Sequence, residues 1–322
     1  MKKNEDDVLI VTFGSDVVAI QCFQYDLNND KSPVLPPDNQ ECHQRGSTNR
    51  LKFDNIKEAR DSYKNAMTLK SSKFTKRKYV RGGIHRNVFN DSSYFLDVRD
   101  YGGSVNLCID LGDGMATIFK IRDLTMEIES MKEIKKFSEE CNKDSKARQT
   151  SGDLGSMFAF GLHNRNVGDY ISMKDMKMDI TKYCQVSRKL LEKYFRSEVE
   201  EIISADRSQQ IIPSNRLGGT DGISAYCLVS RDLINAAHYD LDTSKSITVF
   251  NEKIPGRAKN WFFILPNVVL KGIDQERAIV IQLFDGCTLC WDGRKVFHCT
   301  GTKEIGKDNH VYGSFWGGKF YR

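Results

Sequence analysis

Apolar and polar positions alternate along much of this chain with the period of two that marks strands, and only a few stretches keep the period of a helix. Near the start, DVLIVTFGSDVVAIQCFQYD reads as two β-branched runs around a GSD turn, the pattern of a hairpin. Residues 27–50 carry prolines among Asn, Asp, Ser and Gln without apolar periodicity, which predicts a long surface loop. DNIKEARDSYKNAMTL has helical spacing with Asp54 as its cap. Residues 94–124 return to short strands punctuated by GG and GDG. TMEIESMKEIKKFSEEC then reads as a charged helix that runs into a polar stretch. That composition change sets the expected boundary between a β-rich N-terminal region, residues 1–150, and a second unit, residues 151–322.

The second unit opens with a helix over residues 180–204, where Tyr183, Leu190, Leu191, Tyr194, Phe195 and Val199 share one face. Short strands follow: GISAYCLVS, SITVFNE, NWFFILPNVVL, AIVIQLFDG, TLCWDG, KVFHCT and HVYGSFWGG. Strands joined by turns, without intervening helices, predict an antiparallel sandwich or barrel and an α+β chain. The chain has no internal repeat, Walker loop, GxGxxG, nucleophile elbow or kinase signature.

With 322 residues, 39% hydrophobic and 28% charged, the chain can bury a sizeable core without disulfides. No run approaches the roughly 18 apolar residues of a membrane span, and the N-terminal MKKNEDD does not lead into a secretion signal. Nine cysteines without framework spacing predict reduced thiols, so the expected location is intracellular, cytoplasmic or nuclear. The net charge of +5 is concentrated in KSSKFTKRKYVRGGIHR, Lys70 to Arg86, which has no acid. That run reads either as a solvated basic face or as a nucleic-acid contact, with Phe74 and Tyr79 as stacking platforms.

Candidate chemistry sits in NAAHYDLD. In a strand, residues two apart share a face, so His238 and Asp240 present an imidazole and a carboxylate to one point. WDGRKVFHCTG supplies a third donor, His298, on a later strand after a DGR turn. Together they compose the 2-His-1-carboxylate face of a non-haem iron centre, which leaves positions open for oxygen and a cosubstrate. The plainer reading is a polar turn in which Asp240 and Asp242 cap backbone amides.

On these residues, 222–318 resemble the double-stranded β-helix (jelly-roll) core of the Fe(II)/2-oxoglutarate-dependent dioxygenase superfamily, with His238, Asp240 and His298 at the HxD…H positions. NAAHYDLD, NWFFILPNV and WDGRKVFHCTG are also similar to uncharacterised proteins of marine protists and algae. The resemblance implies Fe(II) and 2-oxoglutarate as cofactors, oxidation of an unactivated C–H bond, and a cation that anchors the cosubstrate's distal carboxylate. The chain departs from that pattern on its last strand, HVYGSFWGG, where an Arg-x-Ser arrangement would need a cation at Tyr312. Lys307 just before it, Lys253, Arg257 or Lys259 from the preceding sheet, and the Tyr226 hydroxyl are the candidates for cosubstrate contact. Base-modifying oxygenases of the superfamily make nucleic acid the substrate class to consider.

Three further residues or pairs have structural readings. His310 is expected to be structural, and Arg294 to pair in its turn with Asp292 or with solvent. The CTLC pair, Cys287 and Cys290, reads as two thiols on opposite strand faces rather than a zinc half-site. The alternative function is a jelly-roll binding module without turnover that contacts nucleic acid or a protein partner.

Overall fold

The structure, a computed structural model, describes residues 2–3, 9–13, 17–24, 94–112, 115–141, 154–161, 180–208, 211, 213, 216–235, 240, 242–265, 268–270, 279–296, 298–302 and 310–319. The expected helix over 54–69 and the basic run Lys70 to Arg86 lie outside these residues.

In the N-terminal half the strands are β1 (Lys2–Lys3), β2 (Leu9–Phe13), β3 (Val17–Gln24), β4 (Tyr94–Leu96), β5 (Ser104–Gly112) and β6 (Met115–Asp123), followed by helix α1 (Ile128–Cys141). Then come β7 (Leu154–Gly161), helix α2 (Ile180–Ser208), β8 (Tyr226–Ile234), β9 (Asp242–Glu252), β10 (Trp261–Leu265) and β11 (Val268–Leu270). The chain finishes with β12 (Ile279–Gln282), β13 (Cys287–Trp291), β14 (Cys299–Thr302) and β15 (Val311–Lys319). The fold is mixed α+β and β-rich. Among the described residues no helix is long and apolar enough to cross a membrane.

Two sheets hold these strands. The larger has 11 strands, in the order β1-β2-β3-β5-β6-β13-β9-β15-β8-β7, with β11 beside β3. The smaller runs β14-β10-β12-β4. The expected N-terminal hairpin forms, with β2 antiparallel to β3, and β5 is antiparallel to β6. NWFFILPNVVL, read as one strand, is two: β10 pairs with β12 and β14, whereas β11 pairs with β3 in the other sheet. Pro266 stands between them, and a residue with no N–H cannot donate to a ladder. The larger sheet also runs across the expected boundary near residue 150, since β6 pairs with β13.

Period-two alternation divides the larger sheet's side chains between two cores. One face sends Leu107, Phe119, Phe250, Leu289 and Trp291 toward Trp261, Phe263, Leu265, Ile279 and Ile281 of the smaller sheet, and these form one buried cluster. The opposite face sends Val229, Ile247, Val249, Cys290 and Trp316 against α1 and α2. Met131, Ile134, Phe137 and Cys141 supply the buried stripe of α1 at helical spacing. Helix α2 is kinked at Phe195 (φ −139°, ψ 38°) and buries Leu190, Leu191, Phe195, Val199 and Ile202. Cys287 joins the inter-sheet core and Cys290 the helix-side core, so the two thiols of CTLC do project to opposite faces.

Candidate metal centre

Asp240 lies just before β9, and its position is set by a turn that is remote in sequence. Its backbone N–H donates to the Gly293 carbonyl at 2.8 Å. Upstream, Asn235 ties the end of β8 to β14: its N–H donates to Thr300 O at 3.3 Å, and Thr300 N–H donates to its Oδ1 at 2.7 Å. Residues 236–239 lie outside the described residues, and His238 is one of them.

His298 immediately precedes β14, and its Nε2 stands 3.4 Å from Asp240 Oδ2. The imidazole is buried and walled by aromatic rings. Phe263 stacks on it at 5.1 Å between centroids, and Trp291 meets its edge at 5.2 Å. Its other nitrogen, Nδ1, is 2.8 Å from the Val296 carbonyl. A carbonyl only accepts, so Nδ1 carries a proton, and Nε2 is the nitrogen turned toward Asp240. A histidine that ligates a metal is held in this way: one nitrogen donates to a backbone carbonyl while the other faces the ion. An imidazole and a carboxylate whose donor atoms converge fit a divalent first-row metal. Among the described residues no group of three His, Cys, Asp or Glu side chains forms a metal site.

No family model matches this chain, and no curated protein matches it in sequence. Solved structures align with it, among them that of NgTET1 in complex with 5mC DNA. The alignment has a TM-score of 0.44 at 10% sequence identity and covers 81% of this chain and 90% of that one.

The turn between β13 and His298 is itself tightly bonded. Arg294 folds back on Asp292, donating from Nε to Oδ1 at 2.8 Å and from Nη2 to Oδ2 at 2.9 Å, as the sequence predicts. Burial pushes the Asp292 carboxyl up, but the Arg294 guanidinium and the Lys295 ammonium outweigh it and hold the group below the usual carboxylate range. Arg294 also reaches Thr243 O through Nη1 at 3.1 Å. Asp242 is fully buried inside β9, where it accepts from the Ser246 hydroxyl.

The expected cosubstrate residues are dispersed. Lys253, Arg257 and Lys259 are exposed, in the turn after β9, whereas Asp240 precedes that strand. Eleven residues of strand rise about 35 Å, so these cations lie near the far end of β9 from Asp240 and His298. Tyr226 is buried at the start of β8, and Lys307 lies outside the described residues. On β15, Val311 and Phe315 face the inter-sheet core, and alternation puts Gly313 with them. Tyr312, the Arg-x-Ser cation position, shares the opposite face with Ser314, whose hydroxyl is 3.0 Å from Ser138 of α1. His310 takes a left-handed conformation (φ 52°), and its N–H donates to Asp232 Oδ2 at 3.2 Å.

Sequence reasoning missed Gly293, Asn235, Val296, Phe263 and Trp291 as parts of this site. The legible signal was the glycine of DGR, placed shortly before the late histidine.

Proposed function

We propose that this chain is a mononuclear non-haem iron dioxygenase on a double-stranded β-helix, with His238, Asp240 and His298 as the Fe(II) ligands. The observation that carries this reading is the convergence of Asp240 Oδ2 and His298 Nε2 at 3.4 Å, with Nδ1 committed to Val296 O. The strand order supports it. A double-stranded β-helix alternates eight strands between two sheets, and β8-β15-β9-β13 beside β14-β10-β12 follows that alternation for seven of them, with Asn235 bonded to Thr300 of β14. Residues 151–322 are then the oxygenase-like unit, with β5 and β6 continuing its larger sheet and β4 its smaller one.

When bound, Fe(II) with 2-oxoglutarate supplies activation of dioxygen for oxidising a C–H bond. The protein's own contribution is to aim two ligands, fix the His298 tautomer through Val296, and exclude water with Phe263 and Trp291. Lys307 is the proposed anchor of the cosubstrate carboxylate, with Tyr226 as a further hydrogen-bonding group. Nucleic acid is the proposed substrate class, held through Lys70 to Arg86. A second reading, a jelly-roll binding module without turnover, is favoured by one observation: Lys253, Arg257 and Lys259 are all exposed beyond the far end of β9.

Anaerobic Fe(II) titration with and without 2-oxoglutarate separates the two. An iron centre predicts a metal-to-ligand absorption band that needs both additions and is lost in His238→Ala, Asp240→Ala and His298→Ala. Fe(II) binding that all three variants keep sinks the ligand assignment, and no binding by the parent protein favours the binding module.

A further inference from the structure

Gly293 leaves a space that no other residue would leave. A Cβ on it would lie 2.3 Å from Asp240 Oδ2, 2.6 Å from Asp240 Cβ and 2.8 Å from Asp240 Cγ. The Asp240 carboxylate is therefore seated against the bare Cα of Gly293, while the carbonyl of the same residue accepts the Asp240 N–H at 2.8 Å. The surrounding turn has little freedom. Asp292 O accepts from Lys295 N at 3.0 Å and from Val296 N at 2.9 Å. The Asp292 carboxylate holds Arg294 through Nε, Nη2 and, at 3.2 Å, its backbone N–H. Arg294 Nη1 then ties the turn to Thr243 O at 3.1 Å, at the start of the strand that follows Asp240. At its other end the turn delivers Val296 O, which orients His298.

We infer that the Asp292–Val296 turn is a positioning clamp for the metal centre: Gly293 seats the Asp240 carboxylate, Arg294 straps the turn to β9, and Val296 aims His298. Two proposed ligands that are distant in sequence are thereby aligned by one short segment. The inference rests on the proposed iron reading. Groups that orient metal ligands typically change metal affinity about 10–100-fold when altered. Lysine cannot replace Arg294, because a single ammonium does not reproduce a two-pronged bond to Asp292 together with a third bond to Thr243.

The test is anaerobic titration of the full chain with Fe(II) alone, for the parent, Gly293→Ala, Arg294→Lys and Asp240→Gly, beside melting curves of the metal-free proteins. Gly293→Ala and Arg294→Lys should each weaken Fe(II) binding about 10–100-fold while the proteins stay folded. A turn with only a structural role would lower the melting temperature and leave the affinity of the folded protein unchanged. The alanine should also lower the metal-free melting temperature in the parent but not in the Asp240→Gly background, where the three atoms nearest the added Cβ are gone. Parent-like affinity in both turn variants overturns the clamp and leaves the iron reading standing. Additive melting shifts overturn the Gly293 seat, and an absence of Fe(II) binding by the parent overturns the iron reading and the clamp together.

Discussion

Asp206 shows how a single buried group shapes the pH response of the molecule. It is fully buried near the end of α2, where its Oδ2 accepts the Ala225 N–H at 2.8 Å and stands 3.8 Å from Arg216 Nε. Burial pushes its carboxyl up to about 6, against the pull of the Ala225 N–H and the Arg216 charge. The unfolded chain releases that proton near 3.8. Between those values the folded state holds a proton the unfolded state has lost, so stability falls as pH rises through the window. The cost above it is at most about 3 kcal/mol. Asp206→Asn keeps the shape and an acceptor for Ala225 without the ionisation. Urea denaturation at pH 4 and pH 7 should therefore show a drop in the parent that is larger than in the variant, and equal drops would remove Asp206 as its source.

Single residues also mark where reading the chain stopped. Asp240 and His298 were legible because HxD and a later histidine are donor types at a spacing that strand geometry makes meaningful. Gly293 looked like an ordinary turn glycine. Its contact with Asp240 depends on how two distant segments dock, and no local pattern records that.

At the scale of elements, α2 and the proposed metal centre lie on opposite faces of the larger sheet. Leu191 is fully buried in the core between the helices and the larger sheet, whereas His298 faces the opposite core. Leu191→Ala should cost about 2–5 kcal/mol in stability through the cavity it leaves. Fe(II) affinity of the folded variant should stay within about twofold of the parent, because core mutations remote from one another act nearly independently. Titration alongside denaturation checks this, and a tenfold fall in affinity would join α2 to the site. The helices were readable in advance because Met131, Ile134, Phe137 and Cys141, or Leu190, Leu191 and Val199, repeat at helical spacing. The division of NWFFILPNVVL was not, since an apolar run does not say which sheet each half joins.

For the whole molecule, the described sheets span both halves of the chain, and β5 and β6 continue the larger sheet from β13. If the proposed nucleic-acid contact through Lys70 to Arg86 holds, binding should weaken with salt, and each phosphate contact removed should lower the logarithmic slope by about 0.9 on duplex DNA. Replacing Lys76, Arg77, Lys78 and Arg81 with glutamine therefore should flatten the salt dependence measured by fluorescence anisotropy. An unchanged slope removes this segment as the contact.

By itself, the sequence determined the two described helices and many of the strands, though not β7 or the break between β10 and β11, and it determined which positions alternate toward a core and which side chains have donor chemistry suited to iron. These are local properties, read over a turn of helix or a few residues of strand. Tertiary structure decided that β11 leaves its neighbour for β3, that Tyr312 faces the helices, that Lys253, Arg257 and Lys259 sit beyond the far end of β9 from the site, and that Gly293 meets Asp240. Each of these follows from pairing register between residues far apart in the chain, where a shift by one residue reverses every face and changes every contact.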